Sequence, residues 1–142
     1  MSNFEILLNE YITMDAKDRG GYFLAKVQTI DGYCLEQPML AEILEVFLKK
    51  IASIDGKLDI NEYAMMQALN MYHRGLPFKA EEFAATLAKF VTDGSHTEIE
   101  EAQFAMLPDY MKVDIVMFLI AFACVDGELA PEEADWLTSL IG

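Results

Sequence analysis

The chain has 142 residues, 54% of them hydrophobic, which excludes a disordered polymer and supplies one domain with a sizeable core. Its 24 acidic residues against 10 basic ones leave a formal charge of −14. Such a charge repels nucleic acid backbones and anionic membranes and suits cations or basic partners, although a solvated surface kept acidic for solubility has the same composition.

No stretch alternates at period two, so the predicted elements are all helices. The first covers residues 3–14 and closes on the polar stretch 15–18. A second runs over 21–30, with Phe23, Val27 and Ile30 on one face, and stops at Asp31-Gly32. A third spans 36–54, where Leu40, Ile43, Leu44, Phe47, Leu48 and Ile51 follow the i, i+3, i+4, i+7 rule. Glu45 and Lys49 form a favourable i,i+4 pair on its outer face. Residues 60–73 make a Met-rich helix ended by Gly75 and Pro77, and 79–92 carry Phe83, Leu87, Phe90 and Val91 on one face. A short helix over 98–106 stops before Pro108. The most apolar run, 115–125, belongs to a helix over 109–125 and is bracketed by Asp114 and Asp126. It falls short of the ~20 residues a membrane span requires, so it reads as the central buried helix. A last helix covers 131–140.

Two stretches repeat one another without a gap. Residues 51–62 align on 122–133, placing Asp55-Gly56 on Asp126-Gly127, Leu58 on Leu129 and Glu62 on Glu133, 71 residues apart. Asp93-Gly94, followed by Thr97-Glu98-Ile99-Glu100, is a partial third copy. Asp31-Gly32 is a fainter fourth, with Pro38 where the Glu should stand. Glycine just past a helix end adopts the left-handed conformation without steric cost, and the next helix then needs a cap. Asp59 with Glu62, and Thr97 with Glu100, have capping-box spacing. Ala130 brings no capping side chain, but Pro131 suits the first helical position, and Glu132 and Glu133 suit the helix dipole. The expected architecture is thus a bundle of about seven to eight helices in two related halves, with Asp-Gly helix–turn–helix corners.

Asp-Gly-x-Leu with a Glu seven residues after the Asp is also the back half of an EF-hand loop, with ligands required at loop positions 1 and 3. Those positions hold Ile51 and Ser53 in one copy, Phe122 and Cys124 in the other, which excludes a self-contained EF-hand. Carboxylates from the two corners (Asp55, Asp59, Glu62, Asp126, Glu132 and Glu133) form instead a candidate shared site for one hard cation, calcium or magnesium. Helix capping alone accounts for the same acids.

The doubled Ala-x-x-Asp-Gly-x-Leu-x-x-x-Glu pattern resembles the TerB-like family, which is named for a tellurite-resistance protein and includes the amino-terminal domain of certain membrane-anchored DnaJ co-chaperones. The resemblance covers about residues 40–142 of a single domain over 1–142, leaving 1–39 as an added helical pair. It implies a cytoplasmic helical bundle without catalytic activity, associated with stress responses, with assemblies beneath the membrane and in some members with divalent metal. The family's metal acids map onto Asp55, Glu62, Asp126 and Glu133, while Ala130 departs from the Ser, Thr or Asp usual at that turn.

Other groups point to little chemistry. Cys34 and Cys124 lack metal or redox spacing and read as buried reduced thiols, as a cytosolic protein would have. The first residues lack the basic start of a signal peptide. Met65, Met66 and Met71 fit a core filler better than an adaptable peptide groove. His73 and His96 have no ligand-spaced neighbours, and no phosphate loop, His-Glu-x-x-His, Gly-x-Ser-x-Gly or Cys-x-x-Cys occurs. The chain therefore reads as a non-enzyme. A metal-binding stress protein and an adaptor for a basic or membrane-associated protein compete, with a DNA mimic a distant third. No membrane insertion is expected.

Overall fold

In a computed structural model, residues 3–55, 80–124 and 129–141 are described. They form seven helices and no strand: α1 (Asn3–Ile12), α2 (Ala16–Glu36), α3 (Leu40–Asp55), α4 (Ala80–Thr92), α5 (Glu98–Ala105), α6 (Asp109–Ala123) and α7 (Pro131–Ile141). The expected Met-rich helix over 60–73 lies outside the described residues. No helix among those described is long and apolar enough to cross a membrane.

Two helices organise the bundle. Residues 115–124 of α6 and its cap are buried without interruption, as a helix apolar on every side requires. Helices α1, α2 and α7 pack around α6, and Phe23 of α2 stacks on Phe118 with ring centroids 5.6 Å apart. The second organiser is α3, whose buried Leu40, Ile43, Leu44, Phe47, Leu48 and Ile51 are the stripe its sequence spacing predicts. It meets α2, α4, α5 and α7. Phe47 lies edge-on to both Phe104 of α5 (5.6 Å) and Trp136 of α7 (5.1 Å), joining three helices through one ring. On the outer side of α3, Lys49 Nζ is 3.5 Å from Glu45 Oε1, the expected i,i+4 pair.

The largest departure from the sequence reading is α2. Asp15 does not close α1; it caps α2, its carboxylate accepting from the Asp18 N–H at 2.8 Å. The helix then runs 21 residues through Gly20-Gly21 and through Asp31-Gly32, so the fourth Asp-Gly copy is helix interior and no corner. A Cβ added at Gly20, Gly21 or Gly32 would meet nothing within 4 Å, so no backbone requirement put glycine there. Tertiary packing overrides weak propensity here: Phe23, Val27 and Ile30 are buried, and side chains on both sides of Asp31-Gly32 are held by α6. The helix stops only at Gln37, whose N–H reaches the Tyr33 carbonyl at 2.8 Å, one residue before Pro38.

Candidate functional site

Of the six acids proposed for a shared cation site, Glu132 and Glu133 have described side chains. The side chain of Asp55, and Asp59, Glu62 and Asp126 altogether, lie outside the described residues. Glu132 is exposed at the start of α7, whereas Glu133 is 1% exposed. Glu133 Oε1 accepts from the Ala130 N–H at 3.2 Å. With Pro131 at the first helical position, this is the returning half of a capping box, in which the third helical residue reaches back to the cap N–H. Ala130 contributes only its backbone, and the carboxylate three residues on does the capping. Among the described residues, no group of three or more His, Cys, Asp or Glu side chains is placed to hold a metal ion.

Asp93-Gly94 is a true corner. The Gly94 N–H reaches the Val91 carbonyl at 3.1 Å and the Ser95 N–H reaches Phe90 at 2.9 Å, the paired bonds of a Schellman ending. Gly94 has φ +103°, and a Cβ there would lie 2.7 Å from His96 Nε2. Past the corner, the expected Thr97–Glu100 capping box does not form. Thr97 sits at φ −132°, ψ 9°, outside the extended cap conformation, and its hydroxyl donates to Glu101 Oε2 at 2.7 Å instead. His96 Nδ1 lies 3.2 Å from Glu98 Oε1 on the exposed side. The Glu98 carboxyl is held below its ordinary range by its own backbone N–H and then by His96.

Among the described residues, a polar cluster lies between α2 and α6. Asp114, one-fifth exposed, accepts from Lys26 Nζ at 2.7 Å on one oxygen and from the Tyr33 hydroxyl at 2.5 Å on the other. Lys26 also lies 5.4 Å from the Tyr22 ring centre, and Tyr22 meets Tyr11 at 5.8 Å, beneath the Arg19 guanidinium. Tyr110 packs edge-on against Tyr33 at 5.7 Å. Burial, with the bond to Asp114 second, pushes the Tyr33 hydroxyl up to about 12. Burial also raises Tyr22, with Glu10 and Asp114 adding to it. Both phenols therefore keep their protons at neutral pH, and the cluster joins α2 to α6 as an interhelical clamp.

Sequence reasoning passed over this cluster, but a signal was present. Lys26 and Tyr33 are seven residues apart, hence on one helical face, and Asp114 is the lone acid directly before an eleven-residue apolar run (115–125). An acid in that position needs donors. Cys124 is buried and Cys34 half-buried; no disulfide joins them, and burial followed by the Asp31 charge pushes the Cys34 thiol up to about 12. Comparison with known protein families, with curated proteins and with solved structures finds no match to this chain.

Proposed function

We propose that this chain is a non-catalytic helical adaptor that works through its acidic surface, engaging a basic segment of a partner protein. The observation carrying this reading is where the cations go. Of the seven described Lys and Arg residues, Lys26, Lys49 and Lys112 stand against Asp114, Glu45 and Asp109. Arg19 donates to the Ile12 carbonyl and Lys50 to the Ser95 carbonyl. Five of the seven described cations are thus engaged within the bundle, in a chain whose net charge of −14 favours basic partners. The likeness of the doubled motif to the TerB-like family agrees with a stress-response or co-chaperone setting in the cytoplasm. Titration calorimetry with a lysine-rich peptide over a salt series tests the reading. Binding that weakens steeply with salt is expected; no binding at low salt overturns it.

A second reading keeps the corners as a calcium or magnesium site built from Asp55, Asp59, Glu62, Asp126, Glu132 and Glu133. It is favoured by the burial of the Glu133 carboxylate at a corner the sequence repeats. A thermal melt of chelator-stripped protein with millimolar calcium, magnesium, zinc or manganese separates the two. A bound cation at a hundred times its dissociation constant adds about 2.7 kcal/mol. A rise with one ion, lost in Asp55→Asn/Asp126→Asn, would establish the metal site; no rise with any ion leaves these acids as caps.

A further inference from the structure

The dipeptide Asp-Gly has two fates among the described residues. At Asp93-Gly94 it ends α4, with the Gly94 N–H on the Val91 carbonyl and the Ser95 N–H on the Phe90 carbonyl. At Asp31-Gly32 the chain runs on as helix through four more residues, to Glu36. The sequence allows the same two bonds there, from the Gly32 N–H to the Thr29 carbonyl and from the Tyr33 N–H to the Gln28 carbonyl. Gly32 supplies the left-handed residue such an ending requires. The straight helix gives glycine no reason to be there, since a Cβ would meet nothing within 4 Å.

Little holds the last turn of α2 straight. Ile30 is fully buried, but from Asp31 to Glu36 no residue is, and Leu35 is 83% exposed. Tyr33 and Cys34 touch the core from its edge. Tyr33 donates to Asp114 at 2.5 Å and packs edge-on against Tyr110. Lys26, the other donor to Asp114, lies before Gly32 and keeps its place whichever way the chain turns beyond it. A helix ended at Asp31 would be joined to α3 by residues 33–39. Fully extended, such a connection reaches about 23 Å, so α3 need not move.

We propose that α2 is a two-state helix, in which Asp31-Gly32 is a latent corner that the Tyr33–Asp114 bond latches shut. At rest α2 is continuous to Glu36. When the latch opens, Gly32 turns left-handed, α2 ends at Asp31, and residues 33–39 become the connection to α3. The N–H groups of Cys34, Leu35, Glu36 and Gln37 lose their helical partners, and the Asp114 oxygen that Tyr33 held is released. This device is independent of the adaptor and metal readings.

The test is residue-resolved amide hydrogen exchange of the full chain by NMR, read as protection factors. In the opened corner the Gly32 and Tyr33 N–H groups keep partners while those of Cys34 to Gln37 do not. Protection should therefore fall in one step between Tyr33 and Cys34. Tyr33→Phe removes the latch and should lower protection of those four amides about fivefold. Gly32→Ala penalises the left-handed state and should raise it about tenfold. Lys26→Met, which weakens the same cluster outside the latch, should leave it within about twofold of the parent chain. A graded loss running back from Gln37, with no step at Tyr33, is end fraying and overturns the proposal. So does Gly32→Ala without effect, or a Lys26→Met effect as large as that of Tyr33→Phe. A Tyr33→Phe change matched by the amides of α6 reports global unfolding and also overturns it. Absence of protection at Cys34 to Gln37 in the parent chain overturns the continuous helix as the resting state, and the latch with it.

Discussion

Tyr33 donates its hydroxyl proton to Asp114 across 81 residues of chain, and Lys26, two helical turns before Tyr33, bonds the other oxygen of that carboxylate. One acid on α6 therefore grips α2 on either side of Asp31-Gly32, and this grip helps explain why a dipeptide that ends a helix elsewhere does not end one here. Asp114→Ala should cost about 1.5–3 kcal/mol, since it strands two donors in a half-buried setting, and Tyr33→Phe about 1 kcal/mol. The double variant should fall short of the sum by at least about 0.5 kcal/mol. Chemical denaturation of the four proteins closes the cycle; strict additivity would mean that the two side chains do not share a load.

Burial of the Tyr33 hydroxyl, with the bond to Asp114 second, makes stability depend on alkaline pH. The Tyr33 hydroxyl is raised from its ordinary value of 10.0 to about 12, so the folded state holds that proton more tightly than the unfolded one. Its contribution is complete below pH 10 and is lost as pH rises from there towards 12. Tyr22, raised by burial, acts in the same direction. Denaturation midpoints should decline through this window, and Tyr33→Phe should flatten part of the decline. An unchanged slope in Tyr33→Phe would place the titration elsewhere.

Thiol reactivity follows from burial in a parallel way. With the Cys34 thiol pushed up to about 12, its thiolate fraction at pH 8 is on the order of one in ten thousand, against about one in four for an unfolded cysteine. Cys124 is sealed inside the core at 5% exposure. Iodoacetamide should label neither appreciably in the native protein and both promptly in denaturant. Prompt native labelling at Cys34 would mean that the α2–α3 corner opens readily.

The two described Asp-Gly dipeptides make opposite predictions. Gly32 lies in a helix with open space around it, so Gly32→Ala should stabilise by roughly 0.5–1 kcal/mol through helix propensity and a stiffer unfolded chain. Gly94 has φ +103° and is crowded by His96, so Gly94→Ala should cost about 1–3 kcal/mol. Melting temperatures that move in the same direction for both would contradict the assignment of one as interior and the other as corner.

The fold class and most helices were legible because burial leaves a periodic trace. The α3 stripe and the unbroken apolar run of α6 are both visible as strings of letters. Local punctuation was less dependable. Asp31-Gly32 and Asp93-Gly94 are the same two letters; what separates them is a clamp from a residue some 80 positions away, which no local window contains. The Thr97 cap failed for a related reason, since its spacing is right but its backbone angles turn the hydroxyl towards Glu101. The Lys26–Tyr33–Asp114 cluster is a three-body contact between distant elements, signalled in sequence only by an acid standing alone before an apolar run.

Glu132 and Glu133 are adjacent glutamates in the first turn of α7, so their difference isolates what position adds. Glu132 is exposed, and Glu132→Ala should change stability by no more than about 0.5 kcal/mol. Glu133 is buried with Oε1 on the Ala130 N–H, so Glu133→Ala removes a cap partner and leaves a small void, costing about 1–3 kcal/mol. Glu133→Gln keeps the capping oxygen and should recover part of that loss if capping is its main task. If Glu133→Gln is instead as damaging as Glu133→Ala in chelator-free buffer, the negative charge matters more than the hydrogen bond. Repeating both melts with added calcium or magnesium then decides whether a cation is what the charge attracts: a stabilisation seen in the parent chain and lost in Glu133→Gln would identify it.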